Sequence, residues 1–409
     1  MKYDSITGYR EDFPALKTKM QGRPLVFLDS AASAQKPAQV TEAMSSLMKE
    51  GYANIHRGLY ELSQEVTGKY EKVREKAAGF IGSSKAEEIV FTRNSTEAIN
   101  LVAQSWGRKN LRAGDEIILT EMEHHANIVP WQLLRDQTGI VIKVIPVNQN
   151  GELELDKLYE LLSEKTRLAA FVHISNSLGT INPAAEIVKR IRAYNKDIKV
   201  LVDGSQAAVH TKINVSDIGC DFYVYTGHKI YGPTGIGVLY GRSKVLEDMP
   251  PFNGGGDMIE TVSFEKTTYK EPPHRFEAGT PPIIEVIGLG AAIDYMNYVG
   301  IESIQSHEND LLEYGTQALS EIPGLKIYGN AAEKASILSF NIEGIHPDDI
   351  AMVLDQCGIA VRTGHHCCMP LMKKMGIEAT VRASMALYSS REDLDRLVEG
   401  LHKAVKILS

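Results

Sequence analysis

Apolar residues in this chain fall in short runs set between amphipathic stretches. Six runs rich in β-branched and aromatic residues recur, at 87–92 (EEIVFT), 115–120 (DEIILT), 141–147, 167–175, 198–205 and 220–227. Most are apolar at nearly every position, as expected of strands buried on both faces. Segments with helical spacing lie between several of them, such as 97–106 (EAINLVAQSW) and 184–194 (AAEIVKRIRAY). This alternation predicts an α/β domain with a mainly parallel sheet. The pattern breaks over 250–282, where PPFNGGGDMI and EPPHRFEAGTPP read as an irregular connection. A long helical stretch follows at 283–300. Strands near 335–342 and 359–362, with helices near 347–356 and 391–408, predict a second, smaller α+β domain. The expected division is a large domain over 25–297 and a small one over 298–409, joined by the N-terminal segment 1–24.

Composition narrows the function more than the fold. The 409 residues carry 44 Lys+Arg against 52 Asp+Glu, a net charge of -8, which disfavours nucleic acid as a partner and suits an enzyme with a small substrate. Four cysteines are too few for a disulfide scaffold, so free thiols in a reducing compartment are expected. The first residues mix both charges without an apolar core, and no run of 18 apolar residues occurs. The expectation is a cytoplasmic protein with no signal peptide and no membrane span.

In open parallel sheets, ligands bind beyond the carboxyl ends of the strands. Four such places hold chemically useful residues. Arg93-Asn94-Ser95-Thr96-Glu97 leads into a helix, and reads either as a plain cap or as a phosphate site. Glu123-His124-His125 follows the second run. Adjacent histidines lack the i, i+4 spacing of a helical metal pair, so no metal is expected, but His124 could lie flat against an aromatic ring. Asp203-Gly204-Ser205-Gln206 ends another run; a lone Asp there is often only a cap. Thr226-Gly227-His228-Lys229 opens a glycine-rich stretch. Its lysine is either a solvated charge or, if desolvated, a Schiff-base former.

Taken together, and in this order, these segments resemble the fold type I pyridoxal-phosphate (PLP) enzymes of the class V aminotransferase family. That resemblance implies a large domain with a mainly parallel seven-stranded sheet. It implies that Lys229 attaches the cofactor, Asp203 pairs with the pyridine nitrogen, Gln206 lies near the ring hydroxyl and His124 stacks on the ring. It further implies that Ser95, Thr96, Thr226 and His228 hold the phosphate, with Thr280 reaching a phosphate across a homodimer.

The segment Arg362-Thr363-Gly364-His365-His366-Cys367-Cys368 narrows the chemistry. It resembles the signature of group II (SufS-like) cysteine desulfurases and their selenocysteine lyase relatives. Asn54 to Gly58, Ser175 to Thr180 and Ala379 to Ser384 resemble further elements of that group, and Gly254-Gly255-Gly256 a glycine-rich element near its subunit interface. The resemblance implies that L-cysteine is converted to L-alanine, with Cys367 taking the sulfur as a persulfide for iron–sulfur cluster assembly. Arg382 would grip the substrate carboxylate, which suits a bidentate guanidinium, and Asn176 would help position it. His56, Arg362 and His366 would tune proton transfer or anion binding. A small acceptor protein of the SufE or SufU type would collect the sulfur. Two positions depart from the common pattern: Cys368, where Ala is frequent, and Thr226, where Ser is frequent. Selenocysteine lyase or cysteine sulfinate desulfinase activity is the alternative from the same family; an ordinary aminotransferase and a non-catalytic scaffold are the more distant ones.

Overall fold

A computed structural model describes residues 5–408. The six apolar runs form six strands: β1 (Ile89–Thr92), β2 (Glu116–Thr120), β3 (Val141–Ile145), β4 (Thr166–Val172), β5 (Lys199–Asp203) and β6 (Phe222–Thr226). A seventh, β7 (Gly237–Gly241), begins where the glycine-rich stretch after Lys229 ends. The spatial order is β1-β7-β6-β5-β4-β2-β3. β7 is antiparallel to both its neighbours, and β2 to β6 pair in parallel. The fold is therefore the expected α/β architecture, with one reversed strand inside the parallel sheet.

The continuous apolar runs have the predicted cause. On β5, Val200 and Val202 enter the core on one face of the sheet and Leu201 the core on the other. Helices cover both faces, as parallel sheets require.

The smaller C-terminal domain has a four-stranded sheet made of β8 (Leu325–Tyr328), β9 (Ile337–Ile342), β10 (Arg362–Gly364) and β11 (Thr380–Ser384), in the order β8-β9-β11-β10. Helices Ile301–Ser320, Pro347–Gln356 and Arg391–Leu408 close a separate apolar core over it. Val26–Phe27 pairs in parallel with Ile359–Ala360, and the Asp29 backbone bridges to Ser384. The chain entering the large domain is thus stitched to the small one. Residues 250–282 are mostly irregular but carry a hairpin, Ile259–Val262 with Thr267–Tyr269. Among the described residues, no helix is long and apolar enough to cross a membrane.

Candidate active site

Because β1, β2, β4, β5 and β6 run the same way, their carboxyl ends share one rim of the sheet. At that rim is a cavity of about 270 Å³. Every strand end singled out from the sequence contributes to it.

The helix Ser95–Leu101 begins directly after β1. Its cap is Asn94, whose Oδ1 accepts from the Glu97 amide at 2.9 Å. Ser95 and Thr96 are thereby relieved of capping and line the cavity. Asn94 sits hard against β7: a Cβ placed on Gly237 would come within 2.5 Å of the Asn94 Cα. The bare glycine lets the reversed strand carry the helix start this close to the rim.

Asp203 ends β5 and is buried. Its Oδ1 accepts from the Ser205 amide at 3.0 Å and the Ser205 hydroxyl at 2.5 Å, and that hydroxyl lies 2.8 Å from Ser95 Oγ. Gln206 donates through Nε2 to the Ala31 carbonyl at 2.7 Å. Its Oε1 is buried with no partner among the described residues.

Lys229 stands in a short turn after β6 and lines the cavity. Burial pushes its amine down to about 8, against the pull of the Asp203 carboxylate. His124 is held by the Ala126 amide, which donates to Nδ1 at 3.0 Å. Burial and then the Lys229 charge push it down to about 4. His228 is lowered to about 4 by the same two causes in the same order. Both rings are neutral at neutral pH.

The opposite wall comes from the small domain. Arg382 donates through Nη1 to the Asn176 carbonyl at 2.7 Å, and its Nη2 faces Asp29 Oδ1 at 3.4 Å. Its Nε is buried without a partner among the described residues. Arg362 holds the same carboxylate from the other side, with Nη2 2.9 Å from Asp29 Oδ2. Asp29 thus fixes two arginines at once. It follows a short strand (Val26–Phe27), and the rule of examining strand ends would have found it. It stands outside the expected site because it precedes the strand–helix alternation.

Cys367 is exposed at the mouth of this cavity. Both His366 and Cys367 have positive φ, 51° and 57°, in the left-handed region that side chains disfavour. The surroundings hold them there. The Cys367 carbonyl accepts from the His125 amide at 2.7 Å, and the Cys367 amide donates to His365 Nδ1 at 3.1 Å. Asn176 Nδ2 donates to the His366 carbonyl at 2.7 Å. His366 Nε2 meets Thr380 Oγ1 at 2.8 Å, and burial, with Arg382 and Arg362 nearby, pushes this ring down to about 3. Cys368 is buried; burial pushes its thiol up to about 12, and Sγ donates to Asn176 Oδ1 at 3.2 Å.

Two residues singled out from the sequence lie elsewhere. His56 bonds Glu71 at 2.9 Å beside a small depression with His274, and Thr280 is exposed in a neighbouring groove with Tyr70 and Phe91.

Residues 26–397 match the model of the class-V aminotransferases. A cysteine desulfurase of Cronobacter sakazakii is 51% identical over 405 residues, 99% of each chain. The chain belongs to the class-V aminotransferase family. Within that family it is close to the cysteine desulfurases: one from Escherichia coli (strain SE11) is 50% identical over 405 residues, 99% of each chain. Among solved structures, the cysteine desulfurase CsdA of Escherichia coli (S-sulfonic acid) superposes with a TM-score of 0.92 at 38% identity, covering 100% of both chains. The apo cysteine desulfurase of Thermococcus onnurineus NA1 gives 0.92 at 39% identity over 98% of each.

The cavity suits PLP, the cofactor of this fold. A desolvated lysine, a buried carboxylate near it, an unpartnered Gln206 Oε1 to accept from a ring hydroxyl, and a helix start for a phosphate all face one space.

Proposed function

We propose that this protein is a PLP-dependent cysteine desulfurase that converts L-cysteine to L-alanine and keeps the sulfur on Cys367. One observation carries the reading: Lys229, Asp203, Arg382 and Cys367 line a single cavity. When bound, PLP supplies an electron-withdrawing ring that acidifies the substrate Cα. The Asp203 carboxylate keeps a ring nitrogen protonated, and Ser205 fixes that carboxylate through two hydrogen bonds.

The remaining steps belong to the chain. Arg382 binds the substrate carboxylate with its free Nε edge, and Asn176 holds the guanidinium in place. Lys229 takes the Cα proton, which its lowered pKa permits near neutral pH. The Cys367 thiolate attacks the substrate sulfur. An S–S bond forms as Cβ–S breaks, Cβ keeps the electron pair and is protonated, and Cys367 ends as a persulfide. The substrate carbon is reduced and the enzyme sulfur oxidised, so no external redox partner is needed.

The persulfide passes to a sulfur-acceptor protein of the SufE or SufU type, feeding iron–sulfur cluster assembly in the cytoplasm. The pinned backbone around Cys367 supports this, because such a loop cannot carry sulfur outward and an acceptor has to reach in. A homodimer is the working form, with Thr280 and His56 offered to the partner's site; their position outside the cavity of their own chain supports that reading.

The test is to supply cysteine and measure alanine and protein-bound persulfide together. The expectation is one persulfide per chain on Cys367, lost in Cys367→Ala, and no alanine from Lys229→Ala. Alanine formation at the wild-type rate in Cys367→Ala would overturn the assignment.

A further inference from the structure

We propose that Cys367, His125 and His365 form a binding site for a thiophilic divalent cation of the zinc class, and that the bound ion silences the nucleophile. The inhibitory part rests on the function proposed above; the binding part does not.

His125 follows β2 and His365 precedes Cys367 on the small domain, so only the fold brings them together. Ligand atoms of the three side chains all lie within 4.8 Å of one another. Tetrahedral zinc, with nitrogen at about 2.0–2.1 Å and sulfur at about 2.3 Å, needs ligand atoms roughly 3.3–3.6 Å apart. Closing the cluster by at most about 1.5 Å therefore fills three corners of a tetrahedron. The two imidazoles lie with ring centroids 5.4 Å apart and planes at 38°. His365 and Cys367 are exposed, so an ion and its fourth ligand, a water, have open access. A second cluster, His56, Glu71 and His274, lacks this character, because the Arg74 guanidinium already occupies Glu71.

The chemistry of the donors selects the ion. One thiolate and two imidazoles suit zinc and its thiophilic analogues and discriminate against magnesium and calcium, which prefer oxygen. Binding takes the thiol proton from Cys367, which goes to solvent, and changes no oxidation state. A thiolate pair shared with a cation cannot attack the substrate sulfur. The site is also built to be weak. His365 Nδ1 accepts the Cys367 amide and His125 Nε2 the Met369 amide, both at 3.1 Å, and an ion entering at these nitrogens must displace those bonds. Capture is thus reversible, unlike that in a closed four-ligand structural centre.

The experiment uses the PLP-loaded protein without substrate, since free cysteine itself chelates zinc. Co²⁺ is titrated as a visible probe, followed by Zn²⁺ displacement. The expected result is one Co²⁺ per chain with thiolate-ligated tetrahedral bands, absent in Cys367→Ser and weakened about tenfold or more in His125→Gln and His365→Gln. The cofactor's own absorbance, retained in each variant, shows that the fold is intact. In the activity arm free Zn²⁺ is held fixed by a metal buffer in the presence of cysteine; it should stop alanine release, EDTA should restore it, and each histidine variant should raise the half-inhibitory free Zn²⁺ by a similar factor. No tetrahedral thiolate bands in a protein that still releases alanine would overturn this inference alone. Equal zinc sensitivity in wild type and both histidine variants would also overturn it. No alanine release without any metal would instead refute the desulfurase reading.

Discussion

Replacing Gly237 by alanine tests how the reversed strand sets the cofactor site. Gly237 lacks a positive φ, so the backbone accepts alanine and the effect is purely steric. The added Cβ would meet the Asn94 Cα and carbonyl carbon at 2.5 Å and its nitrogen at 2.9 Å. Overpacking costs about 1–3 kcal/mol, and the upper end applies here because main chain, not a flexible side-chain tip, has to yield. Alanine returns roughly 0.5–1 kcal/mol through its lower unfolded-state entropy. The net loss is about 2 kcal/mol, or roughly 2–4 °C in Tm for a chain of this size. The displaced Asn94 carries Ser95 and Thr96 with it, so PLP affinity should fall about tenfold, the worth of one weakened charge-assisted hydrogen bond. Thermal melts of apo and PLP-loaded protein with a PLP titration read both numbers. Gly68→Ala is the control: it is exposed in the Glu61–Phe80 helix with nothing within 4 Å, and should raise Tm slightly. An apo Tm within about 1 °C of wild type, together with unchanged PLP affinity, would show that this contact does not set the helix start.

Other outcomes follow from the same geometry. The rate at which apo protein takes up PLP should rise with pH up to about 8 and level off above it, because the lowered Lys229 amine is then unprotonated; a continued rise to the ordinary lysine range would refute the burial argument. Arg382→Lys should raise KM for cysteine about 10–100-fold, since a point charge replaces a fork; a change confined to kcat would sink the carboxylate role. Cys368→Ala should leave persulfide yield and alanine release within about twofold of wild type, because its buried thiol, pushed up to about 12, is not a nucleophile at neutral pH; loss of persulfide would reassign the sulfur carrier.

The sequence was most informative where burial and chemistry coincide. β4, β5 and β6 were legible because burial on both faces demands unbroken apolar runs, and the residues just beyond them were legible because such rims collect ligands. β7 was not, since its flanking glycines read as turns while its interior, Val238 to Tyr240, is an ordinary buried strand. The sequence does not single out Asn94 as the cap, because Asn, Ser and Thr all cap helices. The ties that hold His366 and Cys367, from Asn176, Thr380 and His125, are contacts between separate segments, and no local pattern announces them. Thr280 and His56 come from the family resemblance, and the roles proposed for them call for a second chain.

The reversed direction of β7 has one more consequence. A parallel successor would have to start from the far edge of the sheet, and the chain after Lys229 would need a long crossover. Instead the ten residues from Gly227 to Ile236 leave the rim and return to it, with the Gly227 amide donating to the Ile236 carbonyl at 2.9 Å across the neck. The lysine therefore rides on a closed loop clamped between adjacent strands. In the proposed reaction that amine releases its partner and then handles a proton nearby, work best done from something that does not wander.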